Sequence, residues 1–315
     1  EGIMPLKLVV VGAGNHSQQN HLPALARYAS AHPGHIVLAG LCDLRRPHAQ
    51  AMAETYGFAR TYVDLDDMLR TERPDGCIAV TPIAVTAGIA ARVIRAGVPL
   101  LMEKPPGATL TEAKQLVELA ERSRAQVMVS MNRRFDPAIC AARSWWGERQ
   151  ISYLRARIVR IDRREPEFAY GTAIHPLDAM RAIAGDIASY RVQIQCVGGV
   201  RWYVVHLRFA AGAQGVLEVM PAAGVQAESY VWCGDGAYVE AGVGEHDTGA
   251  ARGWQDGTLA LRHDVEEGEP LCVQNGTYGE TVAFLSAVDG GAPVQPSLRE
   301  VLQSVEVCQA MMEQA

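Results

Sequence analysis

The first part of the chain alternates short apolar runs with amphipathic stretches. Leu6–Val11 (LKLVVV) is rich in β-branched residues and ends in Gly-Ala-Gly, the pattern of a buried strand running into a tight turn. His21–Ala31 has helical composition, and Ile36–Cys42 is a second apolar strand that ends at Asp43. Arg46–Tyr56 reads as a helix closed by Gly57. Cys77–Val80 is a short strand ending at Thr81-Pro82, and a helix over Thr86–Ala96 is closed by Gly97. Pro99–Met102 is another strand and ends in Glu103-Lys104-Pro105-Pro106. Thr111 reads as the N-cap of a helix running to Ser123, with Glu112 suited to its first turn, and Val127–Ser130 is one more strand. Strands alternating with helices predict an α/β fold, a doubly wound parallel sheet with crossover helices. Such sheets bind ligands at the C-terminal ends of their strands.

The pattern changes after Trp146. Ile151–Ile161 alternates like a strand and His175–Ile183 is helical. Tyr190–Val197, Arg201–Phe209, Gly215–Met220, Ser229–Cys233 and Ala237–Ala241 then follow as strands joined by Gly-rich turns, which predicts a mainly antiparallel sheet. Gly242–Gly257 reads as a surface loop. Two helices, Gly279–Val288 and Ser297–Glu313, close the chain. The division predicted is residues 1–130 as a doubly wound α/β domain and 131–315 as an α+β domain. The last helix is free to pack back on the first domain. On the strand Tyr203–Phe209, Val204, His206 and Arg208 point one way and Tyr203, Val205, Leu207 and Phe209 the other.

Composition narrows the function classes. A net charge of -6 gives no basic footprint for nucleic acid. No run of apolar residues is long enough to span a membrane. Glu1–Lys7 lacks a basic leader region, and the following apolar run breaks at Gly12, so no signal peptide is expected. Seven cysteines, an odd number with no CxxC pair, fit a reducing cytoplasm. The histidines show no metal-binding spacing, and neither H-E-x-x-H nor G-x-S-x-G occurs, so no metal site is expected.

Gly12-Ala13-Gly14-Asn15-His16-Ser17 is a G-x-G-x-x-G fingerprint with Ser at the third glycine. The first glycine permits the turn, the second lets the backbone approach a pyrophosphate, and the helix N-terminus offers N–H groups to it. Asp43, at the end of the next strand, suits the adenine ribose hydroxyls and repels a 2′-phosphate, which favours NAD(H). Arg45 and Arg46 could bind that phosphate, so NADP(H) stays open.

Several motifs then occur in order: the fingerprint, His21-Leu22-Pro23-Ala24-Leu25, Thr81-Pro82, Glu103-Lys104-Pro105, Asn132-Arg133-Arg134-Phe135, and His175-x-x-Asp178. In these the chain resembles the glucose–fructose oxidoreductase, inositol dehydrogenase and MocA family (Gfo/Idh/MocA) over essentially its whole length. The resemblance implies a soluble oxidoreductase moving a hydride between NAD(P) and a secondary hydroxyl or keto group of a sugar, cyclitol or related polyol. It also implies an N-terminal Rossmann domain, an open-faced C-terminal sheet, and a homodimer or homotetramer built on that sheet. Two positions depart from the family pattern: Gly171 stands where an aspartate often precedes the histidine, and Thr81-Pro82-Ile83-Ala84-Val85-Thr86 lacks the usual Asn and His.

By resemblance, Lys104 is the catalytic lysine, and a cationic nicotinamide ring beside it would ease loss of its proton. His175 is the candidate general acid/base, and Asp178, three residues on, could orient its imidazole, contact substrate or cap a neighbouring loop. Gly12, Gly14, Asn15, His16, Ser17, Asp43, Arg45, Thr81, Pro82, Glu103, Lys104 and Asn132 are the expected cofactor contacts. Arg133, Arg163, Tyr170, His175 and Tyr278 are the expected substrate contacts. Two other readings stay open: an NAD-dependent glycosidase, as some relatives are, and a cofactor-binding relative without activity.

Overall fold

A computed structural model describes residues 4–313. The chain divides into two compact units. The first runs to Ser130 and takes in Thr277–Leu302; the second comprises Met131–Gly276 and the segment from Gln303 on. Expected boundaries differ here, because residues 277–302 had been assigned to the second domain. They return because Thr277–Gly290 buries Phe284 and Leu285 in the first unit, and its buried Glu280 accepts a hydrogen bond from Ser130 Oγ at 2.8 Å.

The first unit contains β1 (Leu6–Val11), α1 (Leu22–Ala31), β2 (Ile36–Cys42), α2 (Arg46–Tyr56), β3 (Arg60–Tyr62) and α3 (Leu65–Glu72). It continues with β4 (Gly76–Ala79), α4 (Ile83–Arg95), β5 (Leu100–Met102), α5 (Leu110–Ser123) and β6 (Val127–Val129). The six strands form a parallel sheet in the order β3-β2-β1-β4-β5-β6. The order reverses at β1, whose C-terminal end is therefore the topological switch point where such sheets bind ligands. Leu8, Val9, Val10, Ile78, Leu100 and Leu101 are buried, as a sheet covered on both faces requires.

Three local differences have clear causes. Arg60–Tyr62 and Leu65–Glu72 were not predicted; the charged run Asp64–Arg73 hides an apolar stripe of Leu65, Met68 and Leu69, and Asp64 caps the helix by accepting from Asp67 N–H at 2.7 Å. α4 begins at Ile83, immediately after Pro82. α5 is capped by Thr109, not Thr111: Thr109 Oγ1 accepts from Glu112 N–H at 3.2 Å, and Glu112 reaches back to Ala108 N–H at 2.8 Å, a variant of the capping box.

The second unit holds α6 (Pro137–Trp146), β7 (Tyr153–Val159), α7 (Phe168–Gly171), α8 (Ile174–Ala184), β8 (Ile187–Val197), β9 (Val200–Phe209) and β10 (Gln214–Met220). It adds β11 (Ala227–Gly234), β12 (Ala237–Gly242), β13 (Ala251–Gln255), β14 (Thr258–His263) and α9 (Leu271–Gln274). α10 (Thr277–Gly290) belongs to the first unit, and α11 (Leu298–Glu313) spans the division at Leu302. The eight-stranded sheet has the order β14-β13-β12-β11-β7-β10-β9-β8 and is antiparallel apart from the parallel pair β10–β7. The Gly242–Gly257 segment is no simple loop, since it supplies β13, whose Trp254 and Gly253 alternate across the strand.

One face of this sheet is buried. Ala156, Tyr203, Val205, Leu217, Tyr230, Trp232 and Val239 point inward, and Trp146 of α6 packs edge-on against Trp232 at 6.2 Å. The other face, carrying Arg155, Arg157, His206, Arg208 and Tyr238, is left exposed. The alternation read along Tyr203–Phe209 is observed: its odd-numbered residues are buried, while His206 and Arg208 are exposed. Among the described residues, no helix is long and apolar enough to cross a membrane.

A buried charge network fixes the inner face. Glu228 is fully buried on β11 and accepts from Arg133 (3.0 and 3.2 Å), from Arg160 (2.7 Å) and from Tyr230 Oη (3.0 Å). Burial works to raise its carboxyl, and the two guanidiniums outweigh burial and hold it far below the usual carboxylate range. Removing one partner of such a pair strands a buried charge, so Glu228→Gln should cost about 3–5 kcal/mol. Thermal and denaturant unfolding should show that loss at neutral pH. Since the folded carboxyl is depressed, its contribution is complete above the unfolded value of about 4.3 and is lost only in stronger acid. A Glu228→Gln protein as stable as wild type at pH 7 would contradict this assignment.

Candidate functional site

The loop after β1 is built from the sheet upward. Gly12 N–H donates to Cys42 O of β2 at 2.8 Å, and Ala13 N–H donates to Asp43 Oδ2 at 2.9 Å. Gly12 sits at φ +92°, and a Cβ there would lie 2.0 Å from Val80 O. No other residue fits, because the left-handed backbone and the neighbouring strand both exclude a side chain. Ala13 O is held by Gln18 Nε2 at 2.8 Å and by His48 Nε2 at 2.5 Å, two residues not singled out from sequence.

Gly14 faces open space, with nothing within 4 Å of where its Cβ would stand. Ser17 is fully buried and its Oγ has no hydrogen-bond partner. This backbone cradle, with N–H groups at a helical start, fits the pyrophosphate of a dinucleotide. The residues present therefore suit the cofactor that the fingerprint implies. Asn15 and His16 are exposed at the rim of the turn.

The helix does not begin as predicted at His21. Ser17–His21 forms one π-helical turn, and α1 follows from Leu22. In an α-helix, residues five apart point about 140° away from each other. The i→i+5 register of a π-turn instead brings them side by side. His16 and His21 are five apart, and both imidazoles reach one carboxylate oxygen: Nε2 lies 2.9 and 2.8 Å, respectively, from Glu103 Oε1. Asn20 Nδ2 contacts His16 Nδ1 at 3.1 Å. The three ligand atoms lie within 4.8 Å of one another, a grouping that the spacing of the histidines along the chain did not suggest.

Glu103 ends the strand leading from β5 and is buried. Burial works to raise its carboxyl, and His16 and His21 outweigh that effect, holding it well below the usual range. Its Oε2 accepts from Lys104 N–H at 3.3 Å. Two buried prolines, Pro105 and Pro106, stiffen the chain directly after Lys104.

Asp43 keeps its carboxyl low. Burial raises it, but the Arg45 side chain and the Ala13 and Arg45 N–H groups outweigh burial. Arg45 Nε lies 3.1 Å from Asp43 Oδ1, and Nη2 lies 3.3 Å from Oδ2. Thr81 is half-buried and Pro82 exposed; the Thr81 hydroxyl meets Thr86 Oγ1 at 3.0 Å. Thr86, which stands where the family pattern has histidine, is buried and bonds back to Thr81 O and Pro82 O. It thus holds the start of α4. In the same unit, Tyr278 carries the Arg27 guanidinium over its ring at 5.4 Å.

In the second unit, His175 lies in the first turn of α8, and a Cβ added at Gly171 on α7 would meet nothing within 4 Å. Tyr170 is buried. The Asp178 carboxylate is buried and engaged by Arg134 Nε at 2.7 Å, Arg134 Nη2 at 2.9 Å and Ser304 Oγ at 3.2 Å. The bidentate arginine ties the Asn132–Phe135 segment to α8. Arg133 is also reassigned. Its guanidinium is 4% exposed and bound to Glu228, within the inner-face network and unsuited to substrate. Asn132 is buried, and its Oδ1 lies 3.4 Å from Arg133 Nη1. Arg163 pairs with Glu165 and lies over the Phe168 ring at 5.3 Å.

Comparison with known proteins now bears on this geometry. Residues 6–131 match the Gfo/Idh/MocA family, described as an oxidoreductase family with an NAD-binding Rossmann fold. The matched segment contains the glycine turn, Asp43 and the Glu103-Lys104 corner, and in it the chain is similar to this family. Among curated relatives, it is 28% identical to D-apiose dehydrogenase of Paraburkholderia graminis over 58% of this chain and 50% of that protein. The matches span between about a third and a half of the length of the curated relatives. Two solved structures share the fold over both units. A dehydrogenase from Chromobacterium violaceum has a TM-score of 0.88 at 18% identity, covering 99% of this chain and 96% of that one. Levoglucosan dehydrogenase in complex with NADH has a TM-score of 0.83 at 17% identity, covering 98% and 96%.

Proposed function

We propose that this protein is an NAD(P)-dependent dehydrogenase or reductase acting on a secondary hydroxyl or keto group of a sugar, cyclitol or related polyol. The observation that carries this reading is the Glu103-Lys104 corner, tied through His16 and His21 to the glycine turn. Bound there, the nicotinamide dinucleotide would supply the hydride acceptor or donor.

The chain's own contribution is positioning and proton transfer. Gly12, Gly14 and Ser17 form the phosphate cradle, with Asn15 and His16 at its rim. Lys104 is the proposed proton acceptor, and the stiff Pro105-Pro106 segment fixes where its backbone leaves β5. His175 is the proposed second acid/base, since imidazole titrates near neutral pH. Tyr170, Arg163 and Tyr278 remain proposed substrate contacts. Thr81, Pro82 and Asn132 remain proposed on the cofactor side.

NAD(H) is the proposed cofactor. The ionised Asp43 carboxylate repels a 2′-phosphate, and Arg45, the cation best placed to bind that phosphate, spends its Nε and Nη2 donors on Asp43. Copies of the chain are proposed to associate as a dimer or tetramer through the exposed face of the eight-stranded sheet. That face presents Trp202, Val204, Val216, Val231 and Trp254, half-exposed apolar side chains that a second copy would cover.

Three outcomes are expected. Lys104→Ala should lower the turnover of a polyol by about 10²–10⁴-fold, the worth of a positioned acid/base, with NADH binding unchanged. A screen of sugars, uronates and inositols supplies the substrate, and full activity in the variant would remove the mechanism. NADH should bind at least about tenfold more tightly than NADPH, a gap of roughly 1.4 kcal/mol that Asp43→Ala narrows. Tighter binding of NADPH, weakened by Arg45→Ala, would reverse the assignment. Light scattering at micromolar protein should give a mass at least twice that of one chain, and a monomer would count against the sheet-face association.

A further inference from the structure

The π-turn gathers more than a cofactor cradle requires. His16 Nε2, His21 Nε2 and Glu103 Oε1 converge on one point, with both nitrogens 2.8–2.9 Å from the same oxygen. Two neutral imidazoles and one carboxylate form a donor set suited to a borderline divalent cation, and the same His₂Glu set holds zinc in catalytic sites that keep a fourth position open.

The surroundings favour occupation. The His21 side chain is 1% exposed and that of Glu103 8%, so two ligands are fixed by packing. The His16 side chain is 54% exposed, which supplies an entry path and a solvent-facing fourth position. Zn–N and Zn–O lengths near 2.1 Å put tetrahedral ligand atoms about 3.4 Å apart, so each Glu–His separation need open by only about half an ångström. An ion bound at Nε2 would place each imidazole proton on Nδ1; at His16 the Asn20 Nδ2 contact with Nδ1 at 3.1 Å would then give way, while Asn20 Nδ2 keeps its bond to His16 O at 3.2 Å.

We propose that His16, His21 and Glu103 form a site for a divalent cation of the zinc class, open to solvent at its fourth position. The turn that the cofactor motif builds thus carries a second ligand-binding capacity, independent of whether the protein turns over a polyol.

The test uses the full chain, stripped with chelator and kept free of dinucleotide. Cobalt(II) added alone should give the intense visible bands of a four-coordinate N/O site, saturating at one ion per chain. Zinc should displace it, with micromolar or tighter affinity by competition against a chromophoric chelator. His16→Ala removes an exposed ligand and should weaken zinc by about 100-fold, with circular dichroism showing that the variant is still folded. Glu103→Gln, which preserves shape, should weaken it as well. Lys104→Ala should leave the cobalt spectrum unchanged, separating this proposal from the catalytic one. Absence of saturable binding, six-coordinate cobalt bands, or undiminished zinc affinity in His16→Ala would overturn the site.

Discussion

The end of β1 is the constraint on which the first unit depends. β1 is flanked on both sides by parallel strands, so the chain leaving it has to turn within hydrogen-bonding distance of β2 and beside β4. The Gly12 N–H to Cys42 O bond and the Ala13 N–H to Asp43 bond fix that turn, and Val80 O closes off any side chain at Gly12. From this follow the open backbone at Gly14, the π-turn, and the meeting of His16 and His21 on Glu103. Asp43, the glycine turn and the Glu103-Lys104 corner are thus parts of one hydrogen-bonded construction spanning three strand ends.

In the second unit, buried charge does the comparable work. Glu228 binds two arginines from two other segments, and Asp178 binds Arg134. Both pairs draw on the Asn132-Arg133-Arg134-Phe135 segment, so the adjacent arginines point to different carboxylates. The short 3₁₀ turn over Asn132–Phe135 makes that divergence achievable. These pairs fix the segment that opens the unit and the helix bearing His175.

The parallel sheet was legible because its strands are continuous apolar runs ending in glycine or polar residues, and Leu6–Val11 with its glycine turn is the clearest case. The short strand Arg60–Tyr62 was not legible, since three partly exposed residues carry no periodicity. The π-turn was hidden for a different reason: a helix-period reading places His16 and His21 apart, and only the wider register unites them. Arg133 and Asp178 read as site residues because their buried partners were not visible: Glu228 lies 95 residues from Arg133, and Arg134 and Ser304 lie 44 and 126 residues from Asp178, beyond the reach of local spacing. Substrate contacts were the least legible part, because no local pattern distinguishes a pocket aromatic from a core one, and Tyr170 is buried.

The central claim is that the glycine turn holds a nicotinamide dinucleotide. Titrating the purified chain with NADH and following nicotinamide fluorescence tests it most directly. The account predicts saturable binding of one NADH per chain, displaced by NAD⁺. A signal that rises without saturation, at NADH concentrations well beyond the physiological range, would contradict it.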